Sequence, residues 1–371
     1  MPKTVPFLDL SRQYKSLRDE LVGAATRVLD SGRYILASEE RAFCQEFAHM
    51  HNVPFCAGVA SGTDALKLPL EAMGVGPGDE VILPAFTFVA TATVVSALGA
   101  KPVFCDVDPQ SLTIDASDFQ GRITAKTKAV IPVHLYGRPA NLDGILLIGR
   151  AREIAVVEDC AQAHGAIYNN KPVGSYGDYG AFSFYPTKNI GACGDAGAVT
   201  ASDSKRFEAV TLLRDCGRRP GARYEHVLAS NHSRLDEIQA ALLRVKLPHL
   251  EAWTENRRRV AARYGQGLAG LPLSLPVGDP ENGRHVYHQY TIQSPKRDAL
   301  SAHLKERGVA SGVYYPMPLH LLEAYRSLGY CEGDFPHAER AAAQVLSLPM
   351  FSELTDEEID NVIDGVRSFF D

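Results

Sequence analysis

Four short segments of this 371-residue chain hold residues whose types and spacing could do chemistry. In the first, Ala60, Ser61, Gly62, Thr63 and Asp64 lead from a β-rich stretch into a helical one. Small residues at a helix start leave backbone N–H groups free to face an anion, and Thr63 adds a hydroxyl. The second places Glu158 and Asp159 at the end of an apolar strand, followed by Cys160, Ala161 and Gln162. In an open parallel sheet that end is where ligands bind, and a carboxylate buried there calls for a cation. In the third, Lys188 directly follows the strand-like run from Phe182 to Tyr185 and precedes Gly191, Gly194 and Gly197. An amine shielded from water there has a lowered pKa and can form a Schiff base, while Ser183 offers an anion another donor. The fourth, residues 230–241, opens a helix, with Ser233 expected as its cap and the polar residues ahead of it able to reach a phosphate in the same chain or a neighbouring one. Taken singly, each segment also has an ordinary reading: a capped turn, an Asp capping the next helix, an exposed lysine, a solvated helix start.

The elements that must position these residues follow a regular rhythm. Short β-rich runs alternate with helical ones: 54–60 then 63–73, 80–84 then 87–98, 102–107 then 116–123, 129–135 then 141–153, and 154–157. Such alternation predicts βαβ crossovers and a mostly parallel sheet with helices on both faces, and the apolar runs 129–133 and 154–157 fit strands buried on both sides. Residues 180–185 and 197–201 are expected as further strands of that sheet. Pro69 is expected to bend the helix over 63–73. Ahead of the sheet, Leu17, Leu21, Ala24 and Val28 recur at a helical period that ends at Ser31 and Gly32. Residues 234–268 read as a long helical stretch that Pro248 should kink or break. Beyond it come a strand at 287–293, a helix at 296–307, a strand at 311–315 and a terminal helix opening at Thr355. The pattern divides into a large domain over 1–250 and a small α+β domain over 251–371, with the helix over 11–31 expected to pack with the small domain.

Composition narrows the class. At 45% hydrophobic and 22% charged the chain is ordinary for a globular protein, and a net charge of -6 gives no reason to expect nucleic acid or an anionic membrane as a partner. No apolar run approaches the roughly 20 residues of a membrane span. Residues 1–10 lack the basic and apolar regions of a secretory signal, so a cytoplasmic location is expected. Seven scattered cysteines, none in a Cys-x-x-Cys pair, support neither a disulfide framework nor a zinc site. His134, His164, His285 and His288 are not spaced with cysteines or carboxylates as metal ligands, so no metal is expected. Gly74, Gly76 and Gly78 follow a helix and precede a strand, with Pro77 among them, so they form a turn and not a dinucleotide fingerprint.

Together and in this order, the four segments resemble the DegT/DnrJ/EryC1/StrS family of sugar aminotransferases, which has the aspartate-aminotransferase (fold type I) architecture. The resemblance spans nearly the whole chain, from Pro6-Phe7-Leu8-Asp9-Leu10 to the segment from Tyr315 to His320. It rests on the joint occurrence of Ser-Gly-Thr-Asp-Ala-Leu (61–66), Glu-Asp-Cys-Ala-Gln-Ala-His-Gly (158–165) and Ser-Phe-Tyr-Pro-Thr-Lys-Asn (183–189). It implies pyridoxal 5'-phosphate as cofactor, carried on Lys188, which also shuttles the proton. Asp159 then pairs with the pyridinium nitrogen, Gln162 lies near the ring oxygen, and Phe88 stacks on the ring. Gly62, Thr63 and Ser183 hold the phosphate. Asn231 reaches the cofactor phosphate of a partner subunit, which implies a homodimer with shared sites. Tyr185 and His320 are candidates for the sugar-nucleotide site. Two positions depart from the family pattern, Ala196 and Ser230, where relatives often carry glycine. Family members that dehydrate sugars have histidine in place of Lys188, so the lysine implies transamination. The implied reaction moves the amino group of L-glutamate to a nucleotide-linked, dTDP-type 3-keto-6-deoxyhexose, giving a 3-amino-3,6-dideoxyhexose and 2-oxoglutarate. A 4-keto sugar or a 3-keto uronate is the alternative acceptor. A non-catalytic pyridoxal-phosphate-binding regulator is the alternative of a different class, although it would not need Lys188.

Overall fold

The computed structural model describes residues 4–371; the first three residues of the 1–10 segment lie outside the described residues. Helix α1 (Leu10–Ser31) starts where Asp9 accepts a hydrogen bond from the Ser11 N–H and ends at Gly32, whose φ of 63° suits glycine. The residues it buries are Leu17, Leu21, Ala24 and Val28, the set its sequence period picks out. Helix α2 (Ser38–Met50) follows.

The central layer is a seven-stranded sheet built from successive βα units. In chain order these are β1 (Phe55–Val59), α3 (Gly62–Ala72), β2 (Glu80–Pro84), α4 (Ala90–Ala97), β3 (Lys101–Cys105), α5 (Ala116–Arg122), β4 (Thr127–Val130), α6 (Leu142–Arg152) and β5 (Ala155–Asp159). After a small hairpin, β6 (Ile167–Tyr168) and β7 (Lys171–Pro172), come β8 (Tyr179–Ser183) and β9 (Gly197–Ala201). The strands lie in the order β1-β9-β8-β5-β4-β2-β3. Neighbours from β8 through β3 pair in parallel, and β9 runs antiparallel to both β8 and β1. Strands β2, β8 and β9 are buried along their full length, as a sheet covered on both faces requires. Phe43 and Phe47 of α2 meet Phe184 and Phe182 edge to face at 5.2 and 4.9 Å, pinning the strand that leads to Lys188.

Further on lie α7 (Ser204–Leu213), α8 (Glu237–Lys246), α9 (Leu250–Gly267), β10 (Tyr290–Gln293), α10 (Arg297–Glu306), α11 (Pro336–Gln344), β11 (Val345–Leu348) and α12 (Asp356–Phe370). The expected break at Pro248 is a 3-10 turn, Leu247–His249, between α8 and α9. Helix α12 opens with a full capping box between Thr355 and Glu358. Around β10 and β11 a separate apolar cluster gathers Val260, Tyr264, Leu300, Leu304, Ile359 and Val362. Helix α1 bridges the two regions. Its Leu17 and Leu21 pack with Leu242 of α8, and Arg12 joins Glu358 at the start of α12 at 2.6 Å.

Two local expectations differ from the structure. Ser233 caps no helix: its hydroxyl accepts the Ala60 N–H at 3.2 Å, and α8 begins only after Asp236. Residues 311–315 form no strand. A single bridge joins Gly312 to Ser347, and β11 takes the place beside β10, while the Tyr314 ring stacks on Phe7 and the Tyr315 ring turns to Phe86 and Phe88. Pro69 lies within helix α3, which continues to Ala72, and the Met73 N–H donates to the Pro69 carbonyl at 3.1 Å.

Candidate active site

Asp159 closes β5, and its register partner Ala181 lies two residues before the end of the adjoining parallel strand β8. The loop after β8 carries Lys188, whose backbone N–H donates to the Tyr185 carbonyl at 2.9 Å. The two functional groups therefore converge at the carboxyl ends of neighbouring strands. Burial raises the Asp159 pKa; the Ala161 N–H at 3.1 Å, the Thr91 hydroxyl at 3.1 Å and the Lys188 charge partly offset that. Lys188 responds in the opposite sense. Burial pulls its amine down to about 8, and the Asp159 charge limits the fall. A lysine so placed is a nucleophile near neutral pH, and the carboxylate beside it invites a cation.

An anion site lies at the start of α3. Ser61 caps the helix by accepting the Asp64 N–H at 3.1 Å. A β-carbon on Gly62 would come within 2.4 Å of the Ser183 β-carbon, so only glycine lets this helix end rest on Ser183. The contact brings the free N–H groups of the first turn, the exposed Thr63 and the Ser183 hydroxyl to one place. Opposite stands Gln162, whose amide orientation is determined by its partners. Its oxygen accepts the Tyr136 N–H at 2.6 Å, so its nitrogen donates to the Tyr315 hydroxyl at 3.2 Å. Tyr136 supplies that N–H from a left-handed conformation, φ 58°, costly for a residue with a large side chain and held by its hydroxyl on the Tyr314 carbonyl. Phe88 is half exposed, with its ring 5.8 Å from that of Tyr315, and the two line one wall.

The structure thus gathers Asp159, Lys188, Gly62, Thr63, Ser183, Gln162 and Phe88 around the same strand ends. Tyr185 is exposed beside Lys188. Asn231 lies apart, its side chain exposed and its carbonyl accepting the Cys216 N–H at 3.0 Å. His320 is buried: its Nε2 pairs with Glu339 at 3.0 Å and its ring packs against Phe335. Sequence reasoning missed Thr91, Tyr136 and Tyr315 as site residues.

Sequence spacing sets no histidine beside a carboxylate, but the fold does. Ligand atoms of His134, Glu158 and Cys160 lie within 4.8 Å of one another, all buried. Glu158 is already saturated: it accepts from His134 Nε2 at 3.1 Å and from the N–H groups of Gly174, Tyr176 and Gly177, each at 2.8 Å. Because His134 Nδ1 accepts the Ala140 N–H at 2.9 Å, its Nε2 carries the proton, and the cluster is a hydrogen-bonded brace beneath the site.

A model of the DegT/DnrJ/EryC1/StrS aminotransferase family matches residues 15–367. The chain belongs to that family. It is 48% identical over 368 residues to a "pleiotropic regulatory protein" of Geobacillus stearothermophilus, covering 99% of this chain and 98% of the relative. It is 44% identical to the UDP-N-acetyl-3-dehydro-alpha-D-glucosamine 3-aminotransferase of Acidithiobacillus ferrooxidans, over 98% of this chain and 97% of that one. It is equally identical to the dTDP-3-amino-3,4,6-trideoxy-alpha-D-glucose transaminase of Streptomyces venezuelae, over 98% and 96%. The crystal structure of S. venezuelae DesV in complex with a ketimine intermediate superposes with a TM-score of 0.97 at 44% identity, covering 100% of this chain and 99% of that one. The protein is therefore a pyridoxal-phosphate-dependent sugar aminotransferase with the fold of its class. The residues present fit that cofactor. A buried carboxylate short of a cation, a half-buried amine with a lowered pKa and a helix end pressed onto a serine hydroxyl answer the ring nitrogen, the aldehyde and the phosphate in turn.

Proposed function

We propose that this aminotransferase moves the amino group of L-glutamate to C3 of a nucleotide-linked 3-keto sugar, with a dTDP-linked 3-keto-6-deoxyhexose as the preferred acceptor. One observation carries the reading: Lys188 and Asp159 meet at the carboxyl ends of adjoining parallel strands, each acting on the other's charge. The names of two relatives support C3, since both place nitrogen at that carbon, one on a UDP sugar and one on a dTDP sugar.

When bound, pyridoxal phosphate supplies a ring that accepts the electrons of a breaking C–H bond. Asp159 would hold the ring nitrogen protonated, and Gly62, Thr63 and Ser183 would hold the phosphate. Phe88 would cover one ring face, and Gln162 would lie at the ring oxygen. Lys188 would hold the cofactor through Nζ. Its Nζ would move the protons, taking one from the donor α-carbon and giving one to C3 of the sugar. An amine with a pKa of about 8 suits both tasks near neutral pH. Tyr185, exposed beside Lys188, would meet the sugar, while His320 is buried and paired with Glu339. The partner subunit's Asn231 would complete the phosphate site in a homodimer.

The name of the Geobacillus relative favours one other reading, a regulator that binds the cofactor without turnover. Absorbance spectroscopy separates the two. With the purified holoenzyme, L-glutamate should convert the yellow band of lysine-linked cofactor to the shorter-wavelength band of the amine form, and Lys188→Ala should abolish the conversion. Incubating the amine form with nucleotide 3-keto sugars should restore the yellow band. A yellow protein that ignores glutamate and every other amino donor would overturn the enzymatic reading in favour of the regulator.

A further inference from the structure

Asn189, next to the reactive lysine, is buried, and both ends of its amide are engaged by a distant segment. Its nitrogen donates to the Val286 carbonyl at 3.1 Å, so its oxygen faces His288 Nδ1, also at 3.1 Å. An amide oxygen can only accept, which puts the imidazole proton on Nδ1 and leaves Nε2 as the bare nitrogen. His288 is itself buried and held neutral. Burial is the first cause, and the charges of Lys188 and Arg257 together with His164 add to it.

The segment that carries His288 is fixed on two further sides. Val286 N–H donates to the Gly137 carbonyl at 3.0 Å, and Gln289 N–H donates to that of Tyr136 at 3.3 Å. Gly137, at φ 93°, lies so close that a β-carbon would come within 2.9 Å of the Gln162 carbonyl and 3.0 Å of the His288 backbone nitrogen. From α9, the buried Arg257 guanidinium donates to the carbonyls of Tyr287, His288 and Met350 at 3.0 to 3.3 Å. A continuous chain of hydrogen bonds thus runs from α9 through residues 286–289 to the turn that bears Lys188.

We infer that His288, acting through Asn189, is a positioning residue for Lys188: its Nδ1–H fixes the Asn189 amide and thereby the direction in which the Lys188 amine leaves the turn. The inference rests on Lys188 being the reactive amine, as proposed above. The Asn189–His288 pair never needs to touch substrate. Its effect is on the aim of an amine that must reach two different carbons in one cycle, where a misplacement of about 1 Å costs on the order of a hundredfold in rate.

The test uses the holoenzymes of His288→Leu, His288→Gln and Asn189→Ala beside the wild type. Two quantities are followed: the pH titration of the lysine-linked cofactor band without substrates, and kcat and KM for both substrates. His288→Leu and Asn189→Ala should shift the band titration by about one pH unit or more and lower kcat by roughly tenfold to a hundredfold, with KM for the nucleotide sugar almost unchanged. His288→Gln, which keeps an N–H donor, should recover most of both. A folded His288→Leu enzyme with wild-type titration and turnover would overturn the inference, as would a glutamine variant as impaired as the leucine one. Where the leucine variant fails to fold, a wild-type band in Asn189→Ala overturns it. A wild type with no lysine-linked band would instead sink the functional reading on which the inference stands.

Discussion

At Asp159 the fold holds a carboxylate where burial works against its charge, and the consequence can be measured without any substrate. Its folded pKa is raised from the ordinary 3.8, because desolvation outweighs the Ala161 N–H, the Thr91 hydroxyl and the Lys188 charge. Below 3.8 the group is protonated in both folded and unfolded states, and its cost is absent. As pH rises from 3.8 through the raised folded value, the folded state holds the proton longer than the unfolded state, and stability is lost. Asp159→Asn removes that titration. The cofactor-free variant should therefore melt higher than the cofactor-free wild type at neutral pH, and the gap should close as pH falls toward 3.8. With Asp159 in the role proposed for it, turnover should move the other way, down by roughly a hundredfold, because an asparagine would not keep the ring nitrogen protonated. Thermal melts against pH together with steady-state rates check both halves. A neutral variant that melts lower than wild type at every pH would contradict the account of Asp159.

One element, α3, does its part through a single missing methyl group. Gly62→Ala would press a β-carbon to 2.4 Å from that of Ser183, closer than side-chain carbons approach, so either the helix start or β8 must shift. The variant should lose roughly 1–3 kcal/mol of stability, as overpacked sites do, and should bind the cofactor more weakly. Pairing it with Ser183→Gly should return the stability but not the affinity, since the serine hydroxyl is then gone; denaturant melts and a cofactor titration read the two separately. The elements differ in how much of them the sequence discloses. Strands β2 and β8 and helices α1 and α3 were legible because burial on both faces, or on one face, leaves an apolar run or a helical period. The reversal of β9 was not, since its composition resembles that of its parallel neighbours. Strand β11 went unread, and the expected strand at 311–315 forms only a single bridge, from Gly312 to Ser347. The site divides in the same way. Lys188, Asp159 and Gly62 stand out by chemistry at the ends of readable strands. Thr91, Tyr315 and His288 act across separations of 68, 153 and 99 residues, which leave no local pattern.

For the whole molecule, the open question posed by the fold is what covers the arm between α7 and α8. Residues 215–232 double back on themselves, with bridges from Asp215 to His232 and from Arg218 to His226, and carry Tyr224, Val227, Leu228 and Asn231 to the surface. Asn231 therefore lies where a second copy could receive it, which is what shared sites in a homodimer require. Subunit mixing tests this directly. Lys188→Ala and Asn231→Ala homodimers should each be nearly inactive. After equal amounts are allowed to exchange subunits, half the dimers pair one variant with the other. In each of these, one site lacks both residues, while the other combines an intact Lys188 with the partner subunit's Asn231. If the sites are shared, activity should rise to about a quarter of the wild-type value, because one site in four is then complete. If each chain builds its site alone, every site keeps one defect and mixing restores nothing. The same flat result together with a monomer in sedimentation would remove the homodimer from the mechanism, and Asn231 would then have to be understood as a surface residue of the arm.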